Sequence, residues 1–137
     1  MIKKAGTVLI NKNKIGLIYR DKQNDYSFPK GHLEEGETLL ECAIRETEEE
    51  TKRKMIVLEE EPIYIDHYFD SKHDECECYY YLVRDDGHSD NDSTDTHDLL
   101  WVDYDKVESV LSYESLKKQW ETIKDKVKEY IEEWKRK

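Results

Sequence analysis

Long apolar runs are missing from this chain, and their absence excludes the simplest membrane architectures. No stretch approaches the roughly 20 apolar residues that a spanning helix needs, and charged residues make up 40% of the 137. The opening residues, Met1-Ile2-Lys3-Lys4-Ala5-Gly6, hold no apolar core of the kind a secretory signal requires. Cysteine is scarce as well. Cys42, Cys76 and Cys78 do not make a disulfide framework, so a reducing cytoplasm is the expected location. Cys76-Glu77-Cys78 has the spacing of one strand face rather than of a zinc site, and Cys42 reads as a small buried helix residue. Positive charge is in deficit, with 22 Lys and Arg against 33 Asp and Glu and a formal net charge of -11. No basic stripe marks a surface for long nucleic acid. A small nucleotide arriving with a divalent cation suits this chain better than a polymer does. No repeat or linker divides the sequence, and its length fits one domain over residues 1–137.

What the chain has instead is a concentration of acid. Glu46, Glu49 and Glu50 stand at i, i+3 and i+4, so on a helix they share one face. Three like charges there repel one another unless a cation sits among them. A hard divalent ion such as Mg²⁺ wants oxygen ligands of this kind and leaves part of its shell to substrate phosphates. The preceding segment, Gly31-His32-Leu33-Glu34-Glu35-Gly36-Glu37, can fold back over that face. The pair reads as a loop-helix cradle for a metal-bound phosphate chain.

Gly31, Glu37, Arg45, Glu46, Glu49 and Glu50 also fall in the register of the Nudix box, and Phe28-Pro29-Lys30 is a lead-in of the same type. Through these residues the chain resembles the Nudix hydrolase family. It departs from the pattern at Lys52, where the box ends in Gly, and at Thr47 and Arg53, where it has apolar residues. None of these positions supplies a side chain that the chemistry needs. Either Lys52 takes a left-handed cap geometry at a cost on the order of 1 kcal/mol, or the helix runs on through Arg53 and Lys54.

The resemblance implies an α/β fold, an α/β/α sandwich with a mixed sheet and a long C-terminal helix. It implies hydrolysis of a phosphoanhydride in a nucleoside diphosphate-linked substrate, with Mg²⁺ as cofactor and Mn²⁺ as a substitute. The metal set it implies is Glu46, Glu49 and Glu50 with the backbone at Gly31. Arg45 is expected to pair with Glu37 and fix the loop on the helix. The general base is left open among Glu46, Glu49 and an acid from elsewhere; Asp95 and Asp98 are the nearest acids outside the box, and Asp98, at a strand end, is the one expected to reach the cleft. The run from Phe28 to Glu34 is similar to members acting on dinucleoside polyphosphates such as diadenosine tetraphosphate, which would be cut to ATP and AMP. That likeness puts Lys30 and His32 on the phosphate chain, adds Arg20, and puts a strand tyrosine (Tyr68, Tyr79 or Tyr81) against a base. The rivals are a house-cleaning nucleoside triphosphate pyrophosphatase and a non-catalytic nucleotide-sensing domain. The expected assembly is a monomer or homodimer.

Local patterning adds an element order. Ala5–Asn11 and Ile15–Arg20 read as strands joined by a turn, and Asp21 to Asp25 as a polar loop. Thr38-Leu39-Leu40-Glu41 matches a capping box, which starts the motif helix at Thr38. Met55 to Leu58 is a short apolar run. Ile63, Ile65, His67 and Phe69 alternate with polar neighbours, which predicts a strand with His67 on the packed face. A second alternating strand covers Cys76 to Val83, bulky on both faces as a central strand should be. Asp85 to Asp98 reads as an acidic loop, and Leu99 to Val102 as a last short strand. Asp103 or Asp105 is expected to cap a short helix, and Ser112 to open a long one with a stripe of Leu116, Trp120, Ile123, Val127, Tyr130 and Trp134.

Overall fold

The computed structural model describes residues 1–89 and 98–136. In chain order the elements are β1 (Ile2–Asn11), β2 (Lys14–Arg20), β3 (Asp25–Ser27), β4 (Lys30–His32), α1 (Leu39–Thr51), β5 (Arg53–Val57), β6 (Tyr64–Phe69), β7 (Glu75–Ser89) and β8 (Asp98–Asp103). A 3-10 turn at Tyr104–Lys106, α2 (Val107–Val110) and α3 (Glu114–Lys135) follow. The sheet runs β3-β2-β1-β7-β5, with β4 on β1, β6 on β7 and β8 on β2. It is mixed: β1 and β7 are parallel, from Ile2 opposite Cys76 to Ile10 opposite Arg84, and the other ladders are antiparallel. One edge of β1 is shared, by β2 along Leu9–Asn11 and by β4 along Lys4–Gly6. The Pro-Lys-Gly lead-in is therefore partly strand, not wholly loop.

Helix α1 covers one face of the sheet and α3 the other, which makes an α/β/α sandwich. The start of α1 is a capping box: Thr38 Oγ1 accepts from the Glu41 amide at 3.1 Å, and Glu41 returns a carboxylate oxygen to the Thr38 amide at 2.8 Å. Cys42 and Ala43 pack on Ala5 and Tyr81, while Thr47 meets Thr7 through their hydroxyls at 2.8 Å. The helix stops at Lys52, which takes the left-handed conformation (φ 59°) and donates its N–H to the Glu48 carbonyl. Of the two outcomes open for Lys52, the cap is the one adopted, and β5 begins at the next residue.

On the opposite face Leu116, Trp120, Ile123, Val127 and Ile131 are buried against Val8, Ile10, Phe28, Tyr80 and Leu82. Each such side chain contributes roughly 1.5–3 kcal/mol relative to exposure, so this stripe is what holds α3 down. Tyr130 and Trp134 sit at its margin. No described helix is long and apolar enough to cross a membrane.

Several local expectations give way to long-range contacts. β6 packs with the opposite face inward: Tyr64 and Tyr68 meet the core and Asp66 is buried, whereas Ile65, His67 and Phe69 are exposed. Two tyrosine rings offer the α3 layer more apolar area than an isoleucine and a histidine do, and His67 is left to bond Glu77 at 2.6 Å. Strand β7 runs on past Val83, so Asp85 to Ser89 is strand and not loop. Asp85 can be buried there because Arg53 grips it twice, at 2.9 and 2.7 Å, and Asn11 donates to it at 3.1 Å. The rest of the acidic run, residues 90–97, lies outside the described residues. Neither Asp103 nor Asp105 caps through its side chain. α3 starts after Tyr113 rather than at Ser112, whose hydroxyl instead accepts from the Tyr26 amide at 2.8 Å.

Candidate active site

The acid cluster is positioned by the docking of α1 on β1 and by β4 crossing its exposed side. Arg45 is the hub. Its Nε and Nη2 reach the two Glu37 oxygens at 2.9 and 2.7 Å, Nη1 reaches Glu46 Oε1 at 2.7 Å, and Nη2 also donates to the His32 carbonyl at 3.0 Å. Glu49 is a longer contact at 3.3 Å. The expected Arg45–Glu37 clasp is thus bidentate, the geometry at which guanidinium is strongest. It holds Glu37 down at about 2, first through the Arg45 hydrogen bonds and then through the Glu34 amide. Those charges raise Arg45 in return.

Gly31 fits against Glu46 with nothing between them: a Cβ built on Gly31 would overlap the Glu46 carboxylate. The glycine is required for that close approach and not for backbone freedom, since its φ is negative or extended. Burial raises the Glu46 carboxyl, against the lowering pull of Arg45. Glu50 accepts from the Lys30 amide at 2.9 Å, which ties the end of the helix face to β4. Glu46, Glu49, Glu50, Glu34 and Gly31 line one cavity of about 450 Å³. Among the described residues no three His, Cys, Asp or Glu side chains converge into a ready-made cage. Arg45 and the Lys30 amide each take one oxygen, of Glu46 and of Glu50, and the donors are all hard oxygens, so the chemistry of the wall fits a divalent ion of the Mg²⁺ type.

The same cavity carries positive charge on its other side, from Lys4, Arg20 and Lys30, with the His32 imidazole beside them. Lys4, Arg20 and Lys30 also line an adjoining space of about 490 Å³, together with Asp66, Tyr68, Phe69 and Tyr113. The two form one trough with an acidic wall and a basic floor. Arg20 is held by Asp25 through Nε at 2.7 Å and Nη2 at 2.6 Å. Lys30 Nζ meets the Tyr68 hydroxyl at 3.2 Å and lies 4.8 Å from the centre of its ring. Burial lowers both Lys30 and His32, with Lys4 adding to the effect on each.

Of the residues proposed from sequence, Glu37, Arg45, Glu46, Glu49, Glu50, Gly31, Lys30, His32 and Arg20 come together here. Tyr79 and Tyr81 do not. They lie on the α1 side of the sheet, packed with Leu33, Leu39 and Leu40, because odd-numbered β7 residues face that helix. Asp98 is exposed at the start of β8, opposite Tyr19, and lines neither cavity. Lys4, Gln23, Asp66, Phe69 and Tyr113 enter the trough without having been picked out from sequence. Asp66 had a readable signal, an acid between two tyrosines in strand alternation; Lys4 had none.

The NUDIX domain family matches residues 2–129, and this chain belongs to it. The fold is shared with solved structures at low identity. An Ap4A hydrolase from C. elegans, solved as a binary complex, superposes with a TM-score of 0.79 at 20% identity, over 93% of this chain and 98% of that one. A NUDIX hydrolase from Nitrosomonas europaea gives 0.74 at 19% identity, over 88% and 86%. A MutT protein from Bacillus halodurans gives 0.73 at 19%, over 90% and 82%. Membership supports a phosphoanhydride hydrolase of a family that generally uses divalent metals.

Proposed function

We propose that this chain hydrolyses a phosphoanhydride in a nucleoside polyphosphate laid along the trough, with diadenosine tetraphosphate, cut to ATP and AMP, as the leading substrate. The observation that carries this reading is the sharing of one trough by the carboxylates Glu46, Glu49 and Glu50 and the cations Lys4, Arg20 and Lys30. A long polyphosphate chain needs both: neutralisation where the bond breaks and cations along the remainder. A divalent ion held by Glu46, Glu49, Glu50 and the Gly31 carbonyl, Mg²⁺ or Mn²⁺, would supply Lewis-acid neutralisation of phosphate charge and an acidified water.

The chain's own residues supply the rest. Arg45 fixes Glu46 through Oε1 and leaves Oε2 toward Gly31. Glu46 or Glu49, whichever is not committed to the ion, takes the proton of the attacking water. The water oxygen bonds to phosphorus as the bridging P–O bond breaks, and the leaving phosphate departs along Lys30 and His32. The ammonium of Lys30 offsets its charge, and an uncharged His32 donates one hydrogen bond.

The house-cleaning alternative is favoured by one observation. With Tyr79 and Tyr81 beneath α1, the aromatic lining among the described residues is the single group Tyr68, Phe69 and Tyr113, enough for one base. The deciding measurement is kcat/KM for diadenosine tetraphosphate against each dNTP, with wild type and Lys30→Ala. The tetraphosphate should be preferred, and Lys30→Ala should weaken it more than any triphosphate. A preference of about tenfold for dATP, the triphosphate of the same base, worth about 1.4 kcal/mol, would install the alternative.

A further inference from the structure

Asp66 lines the larger part of the trough, yet holding a polyphosphate gives it no task. The residue is only 8% exposed. Its carboxylate makes no hydrogen bond and no ion pair with any described residue, and burial raises its proton affinity against the weaker pull of Lys30 and His67. A carboxylate so enclosed is costly unless a donor from outside the chain reaches it, and its oxygens stay open to the cavity. Of the nearby cations Arg20 is paired with Asp25, and Lys4 and Lys30 lie over the Tyr68 ring, none of them bonded to Asp66. Two acceptor oxygens are thus presented to a cavity of about 490 Å³.

Chemistry narrows what could meet them. Phosphate is repelled by like charge. A metal ion is disfavoured by the balance of charge: Asp66 and Asp70 face Lys4, Arg20 and Lys30 here, where the adjoining cavity sets four glutamates against the same three cations. Neutral N–H or O–H donors remain. Phe69, 69% exposed, and Tyr113 flank the same space, and an apolar ring left so open suits a flat partner. A flat ring with donors along one edge is a nucleobase. Two carboxylate oxygens take two donors side by side, and guanine presents such a pair in N1–H and its 2-amino group. Adenine and cytosine set a ring-nitrogen lone pair beside their amino group, and hypoxanthine offers N1–H alone.

We propose that Asp66 is a specificity-determining acceptor that selects a guanine base at the end of the trough away from the carboxylate wall. The inference rests on the nucleoside polyphosphate reading of the site and refines its substrate. It predicts that diguanosine tetraphosphate is a better substrate than diadenosine tetraphosphate, with diinosine tetraphosphate between them.

The test uses the full chain with Mg²⁺. Wild type should show kcat/KM at least about tenfold higher for the guanine compound than for the adenine one, the size expected where a buried acceptor is left unmet. Asp66→Asn, which offers one acceptor and one donor, should lose about tenfold on the guanine compound and hold or gain on the adenine one, whose ring nitrogen and amino group match an amide. Competitive inhibition of wild type by GMP, dGMP, IMP and AMP repeats the comparison without a substitution. GMP and dGMP should bind alike and both more tightly than IMP or AMP. Equal losses on all bases in Asp66→Asn, an adenine preference in wild type, or tight binding by GMP but not dGMP would each overturn the assignment. The polyphosphate reading is judged separately, by tetraphosphate against triphosphate for a fixed base, and can stand while this inference falls.

Discussion

Gly31→Ala separates the chemistry of the site from the stability of the fold. Gly31 sits in β4 with an ordinary backbone conformation, so alanine meets no φ/ψ penalty. The added methyl would overlap Cγ, Cδ and Oε2 of Glu46. Those atoms are the far end of a flexible side chain, so Glu46 should rotate away while the backbone stays. Rotation breaks the 2.7 Å contact between Arg45 Nη1 and Glu46 Oε1. A charge-assisted bond of that kind is worth about 1.5–3 kcal/mol. Against that loss, Arg45 keeps both Glu37 bonds, Glu46 regains hydration, and alanine stiffens the unfolded chain by about 0.4–1 kcal/mol. The net cost is about 1 kcal/mol, a drop of roughly 2–4 °C in melting temperature for a chain of this size.

The rate should respond far more. A carboxylate displaced by more than about 1 Å costs on the order of 100-fold in kcat. The assay is steady-state hydrolysis in Mg²⁺ beside a thermal melt, for Gly31→Ala, Glu46→Gln and the double variant. Because both changes act through one carboxylate, the double should be little worse than Glu46→Gln alone. A Gly31→Ala rate within about twofold of wild type would refute the reasoning. So would a melting temperature fallen by ten degrees or so with the rate lost in proportion, since the glycine would then be serving the fold.

Millimolar Mg²⁺ should raise the melting temperature of wild type and much less that of Glu46→Gln/Glu50→Gln, because a cation bound only by the native state stabilises it by mass action; equal shifts would mean bulk screening of the -11 charge. Glu37 is held at about 2 in the folded chain, below the roughly 4.3 of a free glutamate, so its contribution is complete above that value and disappears as pH falls from there toward 2; Glu37→Gln should flatten this part of a stability–pH curve and lower the curve near neutrality, where the wild-type contribution is fully present. Lys52→Gly should raise the melting temperature, since a left-handed φ of 59° costs a lysine on the order of 1 kcal/mol that glycine avoids; an unchanged or lower value would show that the lysine side chain offsets its own strain.

The readable part of this site is the part built by short-range geometry. Helical spacing alone aligns Glu46, Glu49 and Glu50, and Thr38 with Glu41 marks where that spacing begins. Arg45 and Glu37 are eight positions apart, near enough for loop and helix to meet without help from the rest of the fold. Lys30 and Gly31 adjoin the motif. The basic floor is different in kind. Lys4 comes from the first strand, Arg20 from the second and Tyr68 from the sixth, and only the pairing of β4 with β1 and the packing of β6 over the same end bring them to Lys30. No local pattern carries that information.

Where local patterning erred, it did so by assigning polarity without partners. Asp85 looked like the start of a solvated loop, but Arg53 and Asn11, 32 and 74 positions away, make it a buried strand residue. The alternation in β6 predicts the strand but not its inner face, because the rings of Tyr64 and Tyr68 are larger apolar surfaces than Ile65 and His67 and take the core side. That inversion carries Asp66 inward with them. An acid on the solvent side of a strand would need no explanation. The same acid turned toward the trough, between two packed tyrosines and without a bond from any described residue, is a group whose partner has to arrive with the substrate.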